Sequence, residues 1–196
     1  MVTETTTRER IIEAAEELML AKGFHSVGLN EILAAVRVPK GSFYHHFQSK
    51  EQFGVEMLRH YVAAATAFRL RVLLAETPEP DPLLRLLGFL DGSIAKLLEN
   101  DGKCPCLVSK LSAEVAGFSD AMRAVLAEGN QEWIRILTSV IATGIRQRKI
   151  RKDLVPAKTA ALIQDLWSGA MQRAAVERSV VPLRDAAAFI QTLLRP

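Results

Sequence analysis

Apolar side chains recur every three or four positions along the first fifty residues, which is the spacing of helices that bury one face. The first such stretch opens with Thr6 and Glu9 in capping-box spacing and ends at Gly23. A second, shorter stretch covers residues 29–36. After a tight turn, Pro39 suits the first position of a third helix of about two turns. The pattern therefore predicts three helices, with a tight turn between the last two.

The rest of the chain is punctuated by prolines, and six further helices fit between them because proline disrupts a helix interior but not its first turn. No stretch alternates between apolar and polar residues as a strand with one buried face would. The helices are predicted at about 49–76, 82–100, 105–115, 119–148, 156–176 and 183–194. The chain is thus predicted to be all-α with about nine helices, an amino-terminal three-helix unit preceding a larger carboxyl-terminal bundle.

The composition is that of a folded protein whose core needs no disulfide or metal. Of 196 residues, 49% are hydrophobic and 24% are charged. The formal net charge of +3 argues against a protein that coats nucleic acid with its whole surface, but residues 21–50 carry four Lys or Arg against one acid. Neither a signal peptide nor a long apolar run is visible, which predicts a cytoplasmic protein with no membrane partner.

The segment from Val38 to Lys50 has the composition of a helix that contacts double-stranded DNA. In helix-turn-helix proteins the second helix enters the major groove with its first turns against the base edges, which requires small and polar side chains there. Phe43 and Phe47 would anchor the segment inward, while hydroxyl and basic groups donate to phosphates. The residues predicted to contact DNA are Lys40, Gly41, Ser42, Tyr44, His45 and Lys50.

The alternative for this segment is a solvated polar helix that carries two ordinary histidines. The remaining histidines, His25 and His60, do not provide the spacing of a metal site, so no metal ion is expected. The sequence also shows no catalytic Ser/His/Asp motif and no phosphate-binding glycine loop. It therefore predicts neither an enzyme nor a cofactor.

The stretch GFHSVGLNEILAAVRVPKGSFYHHFQSKEQF, residues 23–53, strongly resembles the DNA-binding segment of TetR-family transcriptional repressors. The resemblance implies a helix-turn-helix DNA-binding domain at 1–48 and a ligand-sensing and dimerisation domain at 49–196. It implies double-stranded operator DNA as the partner, because the six residues named above match DNA-contacting positions of the family, with Ser42 as the first candidate to face a base. Among the departures from the family pattern, Arg37 stands where the turn usually has glycine.

Two cysteines, Cys104 and Cys106, form one Cys-Pro-Cys cluster and are poorly spaced for an unstrained disulfide with each other. If Pro105 takes the first helical position, Cys106 lies in the first turn, where N–H groups and the helix dipole favour a thiolate. The thiolate is the form that reacts with electrophiles and oxidants, so Cys106 is predicted to be the sensing residue and Cys104 a resolving or accessory thiol. The alternative is that Cys106 is a small apolar side chain.

The stretch CLVSKLSAEV, residues 106–115, is similar to the corresponding segment of the TetR-family repressors that control N-ethylmaleimide reductase and aldehyde detoxification. The sensing cysteine of that subgroup matches Cys106, whereas the lysine that partners it falls on Ala175 here. The resemblance implies a repressor that leaves its operator when an electrophile or oxidant modifies Cys106. A small-molecule electrophile would then be the inducer.

Two other functions remain open at the level of the sequence. One is a TetR-type repressor released by reversible binding of a small organic ligand in the carboxyl-terminal bundle. The other, more remote, is a helical thiol oxidoreductase that uses the Cys-Pro-Cys cluster. The side chains that could line a ligand pocket are Phe118, Trp133, Trp167 and Met171, although aromatic residues at helical spacing more often form core.

One short recognition helix buries too little surface for tight and specific DNA binding, so a symmetric homodimer is expected. In the family the last two helices form a four-helix bundle across the dimer, and a change in the distance between the two recognition helices releases the DNA. The residues predicted at this interface are Trp167, Ser168, Gly169, Ala170, Ala174 and Leu193.

Overall fold

The computed structural model describes residues 6–75, 78–100 and 106–196. Within these ranges the chain forms nine α-helices and no strand, which confirms the all-α prediction. None of the described helices is both long and apolar enough to cross a membrane. The helices are α1 Thr7–Lys22, α2 Leu29–Val36, α3 Lys40–His46, α4 Lys50–Leu73, α5 Pro82–Glu99, α6 Leu107–Val115, α7 Asp120–Arg146, α8 Pro156–Glu177 and α9 Val181–Leu194.

The chain divides into two compact units, and each has a hydrophobic core of its own. The first unit consists of Met1–Ala64 and Cys106–Glu128, and the second of Ala65–Pro105 and Gly129–Pro196. Helices α4 and α7 therefore contribute residues to both units, and α6 belongs to the same unit as α1, α2 and α3. This division describes packing, whereas the functional division after residue 48 remains a prediction.

The core of the first unit includes a cluster of packed aromatic rings from α3, its C-cap and α4. The ring of Phe43 lies 5.1 Å from that of Phe47 and 5.3 Å from that of Phe53. Burial of one such side chain stabilises the fold by about 1.5–3 kcal/mol. Helix α6 adds its apolar face to the same core through Leu107, Leu111 and Val115. The helix that follows Cys106 thus shares a core with α3.

The second unit is assembled from α5, α8, α9 and the parts of α4 and α7 that belong to it. Helix α9 packs against both α8 and α5. Its buried residues recur at helical spacing, which is why these segments could be recognised as helices from the sequence. The buried residues of α9 are Pro182, Leu183, Ala186, Ile190 and Leu194.

The side-chain cap predicted at the start of α1 is present, because a cap requires only residues that are near in sequence. The Glu9 N–H donates to the Thr6 hydroxyl at 3.2 Å, and the Thr6 N–H donates to the Glu9 carboxylate at 2.8 Å, which completes the capping box. At the start of α5, the carboxylate of Asp81 accepts the N–H of Leu83 at 2.9 Å.

Among the predicted helix starts, those of α3, α6 and α9 are wrong by one or two residues. Pro39 is the N-cap of α3 rather than its first residue, and Cys106 is the N-cap of α6 rather than part of its first turn. Helix α9 begins at Val181 and not at Leu183, with Pro182 in its first turn. Proline fixes φ but not ψ, so its presence near a helix start does not decide which residue is the first helical one.

Replacement by alanine should have opposite effects on the free energy of unfolding at two glycines that lie inside helices. A Cβ on Gly144 of α7 would lie 2.5 Å from Cδ1 of the buried Ile150, whereas a Cβ on Gly92 of α5 would meet nothing within 4 Å. We expect Gly144→Ala to lower the free energy of unfolding by about 1–3 kcal/mol through overpacking. Gly92→Ala should raise it by about 0.5–1 kcal/mol, because alanine loses less backbone entropy in a helix.

Urea unfolding followed by circular dichroism at one protein concentration measures both changes. Equal stability of the two variants would contradict the close packing of Ile150 against α7.

Candidate DNA-binding surface and cysteine site

The turn between α2 and α3 contains a left-handed residue although the sequence has no glycine there. Arg37 has φ 55° and ψ 46°, a conformation that costs a residue with a side chain about 1–2 kcal/mol. The Arg37 N–H donates to the Ala34 carbonyl at 3.2 Å, and the Val38 N–H donates to the Leu33 carbonyl at 3.0 Å. These two bonds form the Schellman pattern that ends many helices. The tight turn is therefore retained with arginine in the position that favours glycine.

Helix α3 and its C-cap Phe47 place their aromatic side chains inside, and α3 places its polar residues outside. Phe43 is 0% exposed and Phe47 is 1% exposed, whereas Tyr44 is 56% exposed. The ring of Tyr44 packs edge-on against that of the buried Phe43, with ring centres 5.4 Å apart, so the exposed tyrosine is in contact with the core. Of the other predicted DNA contacts, Lys40, Gly41 and His45 are exposed, and Ser42 and Lys50 are half-buried. All six thus lie on or beside one short helix, outside the core.

Lys50, the first residue of α4, is held at the corner between α1 and α2. Its Nζ donates to the carbonyl oxygen of Phe24 at 3.2 Å and lies 4.9 Å from the centre of the Phe24 ring. The attraction between a cation and an aromatic face adds to the hydrogen bond and restricts the lysine side chain. Because an ammonium group has three N–H donors, one bond to a carbonyl leaves it able to bind a phosphate as well.

Glu114 of α6 holds the same corner, and the sequence analysis did not single it out. Its carboxylate accepts the backbone N–H groups of Phe24 at 3.0 Å and His25 at 2.6 Å, and it lies 2.9 Å from Nδ1 of the His25 ring. Partial burial raises the pKa of Glu114, but the hydrogen bonds from the two amides and the ring outweigh it and bring the pKa below its ordinary value. No local signal indicates these contacts, because the partners are about ninety residues apart in sequence.

Cys106 lies at the amino-terminal end of α6 and is partly buried. Its carbonyl accepts the N–H of Lys110 at 3.0 Å, which begins the helix. The next N–H, that of Leu107, donates to the hydroxyl of Tyr61 on α4 at 3.1 Å. The predicted accessory residue Cys104 lies outside the described residues, as does Pro105. The described part of the site is therefore a cysteine at a helix start whose first N–H is bound by a tyrosine of α4.

The four candidate pocket residues do not lie together in one unit. Trp133, Trp167 and Met171 are 5–8% exposed and belong to the core of the second unit. Phe118 belongs to the first unit and is 51% exposed. Its ring lies 5.8 Å from that of Phe24 and 5.0 Å from that of His25. Phe118 is thus a neighbour of the corner held by Glu114.

The outer faces of α8 and α9 differ from the interface predicted by sequence. Trp167, Ala170 and Ala174 are buried in the core of their own protomer, so their assignment to a dimer interface is wrong. Large apolar side chains are instead exposed on the opposite faces, at Leu162, Leu166, Val176, Val181 and Phe189. Gly169 is exposed on α8, and a Cβ there would meet nothing within 4 Å. Sequence periodicity missed this surface because α8 is apolar on two faces.

Comparison with known proteins identifies the family. The model for bacterial regulatory proteins of the tetR family matches residues 11–57, and that for the tetracyclin repressor-like C-terminal domain matches residues 82–190. The HTH-type transcriptional repressor NemR of Escherichia coli (strain K12) is 37% identical over 193 residues, which cover 98% of this chain and 96% of NemR. The HTH-type transcriptional repressor DhaR of Mycobacterium sp. (strain GP1) is 31% identical over 179 residues, 91% of this chain and 87% of DhaR.

Solved structures agree with the sequence comparison. The crystal structure of E. coli NemR in its reduced form matches with a TM-score of 0.88 and 33% identity, covering 96% of this chain and 97% of that one. The regulatory protein TetR from Rhodobacter sphaeroides matches with a TM-score of 0.86 and 29% identity, covering 95% and 97%. With matches over both its amino-terminal and carboxyl-terminal parts, the chain belongs to the tetR family of bacterial regulatory proteins.

Proposed function

We propose that the protein is a repressor that binds double-stranded operator DNA as a homodimer and leaves it when an electrophile or oxidant modifies Cys106. The observation that carries this proposal is the position of Cys106 at the N-cap of α6. Helix α6 shares one core with α3, the helix that carries the predicted DNA contacts. A covalent change at Cys106 therefore acts on a helix that packs in the same unit as the recognition helix.

The proposed DNA contacts follow from the placement of α3. Its first turn carries Lys40, Gly41 and Ser42, and the absence of a side chain at Gly41 allows a close approach to base edges. We expect the hydroxyl of Tyr44 and the cation of Lys50 to donate to phosphates, which would position the protein on the duplex. The buried rings of Phe43 and Phe47 hold this surface in place.

A homodimer is proposed because a single α3 cannot read enough base pairs for specific binding. The exposed apolar residues of α8 and α9 offer the surface for a second copy of the chain, and Gly169 allows two helices to come close. The relatives NemR and DhaR are named transcriptional repressors, which supports repression as the outcome of DNA binding.

The chemistry at Cys106 needs no cofactor. When a maleimide reacts with a thiol, sulfur forms a bond to one alkene carbon and the thiol proton is transferred to the other, so the C=C double bond is consumed. The product places a bulky group at the start of α6, beside the Leu107 N–H that donates to Tyr61. We expect the added group to displace this end of α6. The solved structure of the relative NemR is of a reduced form, which supports a group sensitive to oxidation in that protein.

The direct test begins with selection of duplexes from a randomised double-stranded library by the wild-type protein. We expect enrichment of a two-fold symmetric sequence, here called the selected duplex, and its release by N-ethylmaleimide. Failure to enrich any duplex would contradict the proposed DNA-binding function.

Tyr44→Ala tests the placement of α3. We expect the variant to bind the selected duplex and unrelated duplexes about tenfold more weakly, because a phosphate contact is lost whatever the base sequence. Gel-shift titration measures both affinities. Phe68→Ala is the control, since Phe68 is also an exposed aromatic residue (40%) but belongs to the second unit. Equal affinities of the Tyr44 variant and the control would show that Tyr44 does not contact DNA.

A further inference from the structure

The corner between α1 and α2 is held from two directions by side chains of other helices. The Glu114 carboxylate of α6 accepts the N–H of His25, and the Lys50 ammonium of α4 donates to the carbonyl of Phe24. This carbonyl and this N–H belong to the same planar peptide group, in which they point in opposite directions. A carboxylate and a cation are therefore connected through a single peptide.

The conformation and surroundings of Gly23 show that the backbone of the corner lies directly against the Glu114 carboxylate. It has φ 90°, a value that L side chains rarely adopt, and a Cβ there would lie 2.7 Å from Oε2 of Glu114. Only glycine satisfies both the backbone conformation and the close approach. The carboxylate thus packs directly against the backbone of the corner, with no side chain between them.

The contacts at the two ends of this peptide support each other. A cation at the carbonyl oxygen polarises the peptide and makes its N–H a stronger donor, so bonds in such a chain are mutually strengthened. The Glu114 side chain is 27% exposed, which limits the competition from water. We expect that, without the carboxylate, the peptide loses a contact that fixes its orientation, so that its carbonyl holds Lys50 less firmly.

We propose that Glu114 is a positioning residue for DNA binding, which holds the Phe24–His25 peptide so that the Phe24 carbonyl sets Lys50 against the DNA backbone. The inference rests on the proposed function, because Lys50 matters in this way only if it contacts DNA. Since α6 also begins beside Cys106, a displacement of α6 after modification reaches Lys50 through Glu114 and one peptide group. This route lies entirely within the first unit.

A double-mutant cycle tests the inference. Glu114→Gln, Lys50→Ala and the double variant are titrated with the selected duplex at several KCl concentrations. Loss of a negative charge by itself would strengthen DNA binding, whereas we expect Glu114→Gln to weaken it about tenfold. The plot of log K against log [KCl] should become less steep, by about one unit of slope for each protomer. This is the change expected when one contact between a lysine and a phosphate is lost. Adding Lys50→Ala to Glu114→Gln should change the affinity by less than about twofold.

Glu31→Gln is the matched control, because Glu31 is also a paired carboxylate of the first unit but binds Lys22 at the surface. This variant should bind at least as tightly as the wild type. Glu114→Asp keeps the charge and shortens the side chain, so it should also weaken DNA binding. If thermal melting shows that Glu114→Gln does not fold, Glu114→Asp replaces it in the double-mutant cycle.

If Lys50→Ala lowers the DNA affinity by the same factor in the wild-type protein and in the Glu114→Gln variant, the inference is overturned and the proposed function is left intact. Failure of the wild-type protein to bind any duplex would overturn both.

Discussion

The Cys106→Ser variant should bind the selected duplex with wild-type affinity and remain bound when N-ethylmaleimide is added. Serine replaces the thiol by a hydroxyl of similar size, so the fold and the N-cap of α6 are retained, but the nucleophile that reacts with the maleimide is removed. In the wild type, we expect the reagent to lower the affinity by about 10- to 100-fold, the range of typical allosteric couplings. Gel-shift titration before and after treatment measures the change, and mass spectrometry counts the added groups.

Cys104→Ser is the control, since it leaves one thiol at the start of α6. It should still release DNA on treatment, because the proposal places the reactive group at Cys106. Release that persists in Cys106→Ser would reject the thiol switch, and if that release is reversed by washing out the compound, a reversible ligand would be the better explanation. Turnover of a peroxide or disulfide in the absence of DNA would favour a thiol oxidoreductase instead.

Gly169→Glu should convert the protein to a monomer and lower its affinity for the selected duplex at least about a hundredfold. Gly169 is exposed on α8, where a Cβ would meet nothing within its own chain, so the glutamate fits the protomer and improves the helix propensity there. In a symmetric dimer the same surface is used by both copies, so two carboxylates would enter an apolar contact between helices. Loss of the second recognition helix removes most of the specific affinity.

Gly92→Glu on α5 is the matched control, because it introduces the same side chain at an exposed helical glycine that also has open space around it. Analytical ultracentrifugation should find a dimer for Gly92→Glu and a monomer for Gly169→Glu. Two dimers with equal DNA affinity would show that the outer face of α8 is not the interface.

Local chemistry explains which parts of the fold could be predicted. The capping box of Thr6 and Glu9 and the cap at Asp81 are visible in the sequence because each cap is made by residues at most three positions apart. The composition of α3, with Phe43 and Phe47 as anchors, likewise indicated an amphipathic two-turn helix, and the structure buries both rings.

Other features were out of reach because they depend on distant segments. The contacts of Glu114 with Phe24 and His25 join residues about ninety positions apart, and nothing in the local sequence of α6 indicates them. Phe118 was predicted to line a pocket in the carboxyl-terminal bundle, but its ring packs against Phe24 and His25 in the first unit. Trp167 was assigned to an interface and is instead part of its protomer's core.

The sequence alone determined that the chain is all-α, where most helices begin, and that a TetR-type recognition helix is present, because periodicity, caps and short motifs are local properties. The tertiary structure decided that α6 belongs to the unit of the recognition helix and that Glu114 binds the corner between α1 and α2. It also decided which apolar face of α8 remains exposed. The physical reason is that burial depends on which surfaces meet across long stretches of chain. A helix such as α8, with apolar residues on two faces, contains no local signal that selects between them.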